Sequence, residues 1–171
     1  LITEPYSGFH FVGHLQTNKI KALLTLNPCL IHSVDSLHLA EALSQVLTEQ
    51  NRTQEILLEV NTSGEASKYG IEPSHLIASV HEIVTLPNLQ IRGLMTIGRL
   101  SSNPEDSRQD FRLLKELFDK LSSLHIPKLD MFWLSMGMTN DFEIAIEEGA
   151  NLVRIGSAIF GERHYPAEKP D

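Results

Sequence analysis

Cysteine is nearly absent from this chain, which has one thiol, Cys29, among its 171 residues. A single cysteine cannot form a disulfide within the chain, and histidine and cysteine nowhere cluster at the spacing of zinc ligands. The sequence therefore predicts a protein of a reducing compartment, the cytoplasm, and gives no reason to expect a metal centre.

Long apolar runs and runs of basic residues are missing as well. No apolar segment reaches the roughly 18 to 20 residues that cross a bilayer, and no secretory pattern opens the chain. The formal net charge is -8 at pH 7, whereas binding to a phosphate backbone requires a concentrated basic patch. We therefore expect no membrane and no nucleic-acid partner.

What the chain does have is a regular alternation of short apolar and longer amphipathic segments. With 42% hydrophobic residues and no linker, it predicts a single α/β domain over residues 1–171 with a short polar tail at 162–171. The predicted strands are residues 9–13, 30–34, 56–61, 91–97, 130–135 and 152–156. Helical spacing is clearest around residues 37–47 and 111–121.

Chemical signals mark several helix ends. Asn103 before Pro104 predicts a cap with a first-turn proline, and Asn140 with Glu143 fits a capping box. Gly149 fits the stop of the helix that this box would open. Helices between successive strands are what β-α units around a parallel sheet require.

The last two predicted strands end in small-residue turns. Gly137 and Gly156 leave the backbone N–H groups accessible to an anion, Ser135 and Ser157 add hydroxyls, and a helix N-terminus follows each turn. In eight-stranded barrels the last two loops often bind phosphate. The position of these turns favours a barrel over a doubly wound sheet, although only six strands are found and two N-terminal β-α units are expected to be missing.

Five segments together resemble the pyridoxal phosphate homeostasis protein family. They are HFVGHLQTNK at residues 10–19, VNTSGEASKYG at 60–70, RGLMTI at 92–97, LSMGMTND at 134–141 and VRIGSAIFG at 153–161. The match covers almost the whole chain, in order. It implies a TIM (β/α)8 barrel of the alanine racemase N-terminal type, here incomplete, that binds pyridoxal 5′-phosphate (PLP) without catalysis and takes part in PLP homeostasis.

The resemblance also implies which residues would contact the cofactor. The phosphate would lie against Ser135, Met136, Gly137, Gly156 and Ser157. Arg154 would face the pyridine nitrogen and keep it unprotonated, which weakens the ring as an electron sink. Further candidates at strand ends are His14, Ser33, Asn61 and Met95, of which the last three could equally be barrel packing and His14 a structural histidine.

The lysine that bonds covalently to PLP is expected to be absent from this chain. In the family it lies on the first strand, and residue 1 corresponds to about the third. A Schiff base needs a deprotonated lysine amine near the cofactor aldehyde, and Lys68 alone lies in a loop on the right side. In the family that loop lysine accompanies the first-strand lysine and does not replace it.

Two other interpretations remain open at this point. An alanine-racemase-like PLP enzyme would need the covalent lysine and an opposed tyrosine base, and neither is evident in the sequence. A cofactor-free fragment would expose the edges of an open six-stranded sheet, which makes isolated folding marginal. The complete protein is expected to be a monomer, and protein partners are not indicated.

Overall fold

A computed structural model describes residues 8–161, so the predicted tail at 162–171 lies outside the described residues. The strands are β1 (His10–Phe11), β2 (Leu30–Val34), β3 (Gln54–Glu59), β4 (Leu89–Met95), β5 (Trp133–Met138) and β6 (Leu152–Arg154). The helices are α1 (Ile20–Thr25), α2 (Leu37–Glu49), α3 (Leu76–Ile83), α4 (Arg108–Ser123), α5 (Phe142–Glu147) and α6 (Ser157–Phe160). Two 3-10 turns, Thr17–Lys19 and Pro104–Ser107, precede α1 and α4.

The six strands form one parallel sheet in sequential order, β1 to β6. α1 to α5 each lie between two neighbouring strands of the sheet, and because the strands are parallel their carboxyl ends meet at one edge. Doubly wound sheets reverse their strand order, whereas barrels keep it. The sheet is a curled half-barrel, which agrees with the predicted incomplete barrel.

The strand bounds differ from the predicted ones at several places. β2 is as predicted, β3 and β4 each start and end two residues earlier, and β1 and β6 are shorter. β5 lies three residues further along the chain, so Gly137, predicted in the turn, is inside the strand, as is Ser135, which was predicted as the last strand residue. A glycine at this position is also typical of a turn after a strand, so the sequence ends β5 too early, whereas Gly137 lies inside the strand at φ +89°.

The two faces of the sheet bury different sets of side chains. The helix-covered face carries the main core, to which Ile31, Ile56 and Leu94 contribute from three neighbouring strands. The concave face carries a small apolar cluster of Leu30, Leu57 and Met95, against which Cys29 and Trp133 pack. Since successive strand residues point to opposite faces, polar residues in phase with this small cluster point into the barrel interior.

The helix starts were predicted with mixed success. Asn103 caps its turn through its side chain, which accepts a hydrogen bond from the N–H of Glu105. The capping box at Asn140 is wrong, because α5 starts after Asp141, whose carboxylate accepts instead from the N–H of Met138 at 2.7 Å. Gly149 follows α5 at φ +100°, as its predicted role as a helix stop requires.

Candidate functional site

Arg154 lies at the centre of the polar interior, at the end of β6. Its Nη1 donates to the hydroxyl of Ser135 at 2.7 Å, and its Nη2 donates to the carbonyl of Thr96 at 2.8 Å. Burial lowers the pKa of Arg154 to about 10, with Glu59 and Asp141 acting in the opposite direction. The guanidinium is therefore a fixed, charged donor group inside the half-barrel.

Ser135 is fully buried and carries a second contact besides Arg154. Its hydroxyl lies 3.0 Å from Nδ1 of His32, and Nε2 of His32 lies 3.0 Å from Nδ1 of His10. Burial, and then the charges of His10 and Arg154, lower the pKa of His32 to about 3, so its ring is neutral at ordinary pH. The Ser135 hydroxyl thus joins two interior groups and is not displayed at a surface turn.

Glu59 adds a carboxyl group to the same interior. It is only 6% exposed, and its side chain has no hydrogen-bond partner among residues 8–161. Burial and the nearby Asp35 raise the pKa of Glu59 to about 7, while Arg154 acts in the opposite direction. One cation and one carboxyl group that is half protonated near neutrality therefore share the interior.

The turn at Gly156 and Ser157 lies at the rim, where both residues are exposed. The N–H groups of Gly156 and Ala158 point at the hydroxyl of Thr139, at 3.3 and 3.5 Å. A Cβ built on Gly156 would meet nothing within 4 Å. Two N–H groups therefore converge on one oxygen atom in a turn whose residues are exposed.

Gly137 serves a different purpose from Gly156. A Cβ at Gly137 would lie 2.5 Å from Cβ of Ala145 and 3.0 Å from Cα of Phe142. Its positive φ and this close approach bring α5 against β5. The absence of a side chain at Gly137 is explained by packing, without any ligand.

The strand-end candidates of β1 and β2 are held by protein contacts. Nδ1 of His14 lies 3.3 Å from a carboxylate oxygen of Asp35, and its ring stacks on Tyr69, with 3.6 Å between the ring centroids. The hydroxyl of Ser33 donates to the carbonyl of Gly13 at 2.5 Å. These contacts tie the loop after β1 to β2 and the loop after β3.

The candidates on β4, β5 and the loop after β3 are distributed over three environments. Asn61 organises its own loop, accepting from Ser63 and Gly64 and donating to the carbonyl of Glu65. Met95 belongs to the small interior cluster, whereas Met136 belongs to the helix-side core. The structure therefore brings Ser135, Arg154 and Met95 to the interior and leaves the side chain of Met136 outside it.

Lys68 is occupied by contacts with its surroundings. Its Nζ donates to the carbonyl of Gly98 at 2.9 Å and lies 3.2 Å from a carboxylate oxygen of Glu65. These contacts close the loop after β3 onto the loop after β4.

Sequence reasoning missed three residues of this site: His32, Glu59 and Thr139. The first two lie inside strands in phase with Leu30 and Leu57, and that phase was the available signal. A polar residue two positions after a concave-face apolar residue points into the interior. No group of three metal-ligating side chains occurs in the part of the chain that the structure describes, and none of its helices there is long and apolar enough to cross a membrane.

The sequence of this chain is similar to that of known proteins. Residues 9–164 match the family model described as alanine racemase, N-terminal domain. The pyridoxal phosphate homeostasis protein of Aquifex aeolicus is 47% identical over 157 residues, which cover 92% of this chain and 68% of that protein. The protein of the same name from Homo sapiens is 41% identical over 172 residues, covering 97% of this chain and 62% of that protein.

Solved structures show the same similarity. PipY of Synechococcus elongatus, solved without PLP, is 34% identical and superposes with a TM-score of 0.83 over 92% of this chain and 72% of PipY. With PLP bound, PipY superposes with a TM-score of 0.80. Alanine racemase of Clostridium difficile, 14% identical with a TM-score of 0.75, shares the fold.

Proposed function

Since the chain belongs to the pyridoxal phosphate homeostasis protein family, we propose that it binds PLP between the interior Arg154 and the rim turn at Gly156 and Ser157. The chain spans about two thirds of the length of the curated relatives it matches, so the role of the whole protein in PLP homeostasis is part of the proposal. The single observation that carries it is the convergence of backbone N–H groups on one oxygen at the rim.

The rim turn fits a phosphate group. The hydroxyl oxygen of Thr139 already occupies a point where the N–H groups of Gly156 and Ala158 converge, at 3.3 and 3.5 Å. These distances are long for hydrogen bonds, and a charged phosphate oxygen accepts more strongly than a hydroxyl. Ser157 adds an N–H and a hydroxyl that have no partner within residues 8–161. Ser135, Met136 and Gly137 would contribute only indirectly, as part of the strand β5 that supports this rim.

Arg154 fits the pyridine nitrogen of the cofactor. A guanidinium donates and cannot give up its proton at ordinary pH, so it would leave the ring nitrogen unprotonated. PLP supplies an aldehyde that condenses with amines and, when its nitrogen is protonated, an electron sink. Arg154 would weaken this electron sink. The ring of Tyr69 is stacked on His14, which does not support a role as a catalytic base. We therefore propose a binding protein without catalytic activity.

The lysines of the described residues support non-covalent binding by this chain. Lys68 is held by Gly98 and Glu65, and the five other lysines among residues 8–161 lie outside the strands: Lys19, Lys21, Lys115, Lys120 and Lys128. We further propose that His14, Ser33, Asn61 and Met95 shape the wall around the ring through the contacts described above. We also propose that the protein is a monomer and is located in the cytoplasm.

Equilibrium dialysis of the 171-residue chain tests the proposal. We expect saturable binding of PLP, weaker binding of inorganic phosphate, and little binding of pyridoxal, because pyridoxal lacks the phosphate group. Ser157→Ala should weaken PLP binding, whereas Ser122→Ala, on the exposed face of α4, should not. Equal retention of PLP by both variants, or equal retention of PLP and pyridoxal, would contradict it.

A further inference from the structure

A chain of hydrogen bonds crosses the interior from β1 to β6 and ends on Arg154. It runs from His10 through His32 and Ser135, with successive distances of 3.0, 3.0 and 2.7 Å. None of the sequence motifs or strand-end candidates included His32, and the recognition of PLP described above does not use either ring. These hydrogen bonds nevertheless connect four strands, because His10, His32, Ser135 and Arg154 lie on β1, β2, β5 and β6.

The direction of the hydrogen bonds follows from Arg154. A guanidinium only donates, so the Ser135 oxygen accepts from Arg154 Nη1. Ser135 is 0% exposed, and Nδ1 of His32 is the one acceptor that its hydroxyl proton has among residues 8–161. A buried hydroxyl left without an acceptor is costly, so His32 Nδ1 accepts and must be unprotonated.

The tautomers of both rings then follow in turn. A neutral His32 with a bare Nδ1 carries its proton on Nε2 and donates it to Nδ1 of His10. His10 therefore also has a bare Nδ1. A proton added to Nδ1 of either ring would direct two N–H groups at each other or leave the Ser135 hydroxyl proton without an acceptor.

The charged groups around the rings agree with neutrality. Burial lowers the pKa of His10, with Glu55 on β3 acting against it, and Arg154 on β6 disfavours a second cation at His32. Thr96 fixes the other side of the guanidinium through its carbonyl. Arg154 is thus held on two sides by acceptors, one of which depends on the histidines.

We propose that His10 and His32 are positioning residues: as neutral Nε2–H rings they orient the Ser135 hydroxyl so that its oxygen faces Arg154 and fixes the guanidinium. The step from a fixed Arg154 to tighter PLP binding rests on the proposed function, whereas the tautomers and the fixed guanidinium do not.

Nitrogen-15 NMR of the ligand-free chain tests the first part. The protonated and bare ring nitrogens resonate far apart, so each tautomer has its own signature. We expect His10 and His32 to show bare Nδ1 and protonated Nε2 at pH 7, with the exposed rings of His38 and His75 as reference signals. A protonated Nδ1 on His32, or a charged ring at pH 7, would overturn the proposal.

Paired variants at His10 test the positioning role. The side-chain oxygen of Asn can accept from His32 Nε2, whereas Phe cannot. In His10→Phe we expect the NMR signals of the Arg154 Nη protons to average, because the guanidinium can rotate. PLP affinity should fall roughly tenfold, which corresponds to the loss of about one hydrogen bond. His10→Asn should keep separate Nη signals and an affinity within about twofold of the parent. Equal behaviour of the two variants would overturn the proposal.

Ser135→Ala gives an independent test if His10→Phe does not fold. Without the hydroxyl, His32 Nδ1 loses its donor, and we expect the His32 ring to become a mixture of tautomers. An unchanged tautomer in Ser135→Ala would overturn the proposed direction. Failure of PLP to bind the parent chain, with the predicted tautomers present, would count against the proposed function and not against the hydrogen-bond chain.

Discussion

Replacing Gly137 and Gly156 separately by alanine should separate packing from ligand binding. At Gly137 the backbone has φ +89°, and a new Cβ would lie 2.5 Å from Cβ of Ala145. At Gly156 the backbone has φ -118°, which any residue adopts, and a new Cβ would meet nothing within 4 Å. The same substitution therefore probes two different constraints.

The expected cost at Gly137 has two parts. A left-handed backbone costs a residue with a side chain about 1 to 2 kcal/mol, and overpacking against α5 adds about 1 to 3 kcal/mol. The sum of about 2 to 5 kcal/mol lowers the melting temperature by about 6 to 15 °C, at roughly 3 °C per kcal/mol for a domain of this size. For Gly156→Ala we expect a change of about 1 °C or less.

Thermal unfolding by circular dichroism, with and without PLP, measures both effects. Gly156→Ala should melt like the parent without ligand and lose part of the stabilisation that PLP gives, because its methyl group shields the N–H groups of the turn. Gly137→Ala melting within 1 °C of the parent would refute the packing argument. Gly156→Ala melting as low as Gly137→Ala would refute the view that this turn is open.

Three further substitutions test other parts of the structure. Asp110 is 1% exposed and accepts hydrogen bonds from Nε, Nη2 and the backbone N–H of Arg99. In urea unfolding, Asp110→Ala should lower the unfolding free energy by about 2 kcal/mol, and not more because Arg99 stays partly solvated. The control Asp119→Ala, which removes the exposed ion pair with Lys115, should lower it by at most about 0.5 kcal/mol. Glu59 binds its proton more tightly in the folded state, with a pKa of about 7 against 4.5, so it stabilises the fold fully below pH 4.5 and progressively less up to pH 7. Between pH 4.5 and 7 the unfolding free energy of Glu59→Gln should therefore decline less than the parent's, by up to about 3 kcal/mol. His32 makes the unfolding free energy change with pH in the opposite direction between pH 6.5 and 3, but it is present in both proteins and its effect cancels in the comparison. Parallel pH profiles of the two proteins would contradict the burial argument. Borohydride reduction with PLP should label the parent and Lys68→Met equally and weakly by intact mass, since Lys68 is held by Gly98 and Glu65; a single strong adduct lost in Lys68→Met would show that this amine is available.

The sequence predicted the architecture better than the positions of individual side chains. The alternating β-α segments follow from periodicity. The barrel was predicted from the position of the glycine turns and from the family resemblance, and both the barrel and the family are confirmed. The end of β5 was not predicted, because a glycine inside a strand at positive φ resembles one that starts a turn. Gly137 is explained only by Phe142 and Ala145 on the next helix, and such a contact between elements is not visible in a linear pattern.

The polar interior shows the same limit. Arg154 was predicted through the resemblance, and Ser135 through its place near a glycine, but the contacts between Ser135, His32 and His10 span residues far apart in the chain. In the sequence, His32 is one of two neighbouring polar residues in an otherwise apolar strand. Its partner on β5 is 103 positions away, and only the curvature of the sheet brings the two side chains together.

Chemical-shift mapping of PLP on the nitrogen-15-labelled chain tests the central claim most directly. The account predicts that added PLP shifts the amide signals of Gly156, Ser157 and Ala158 together with the guanidinium signals of Arg154, and that pyridoxal leaves the three amides unchanged. Shifts confined to the loop of Lys68, or an Arg154 signal that does not respond to PLP, would contradict it.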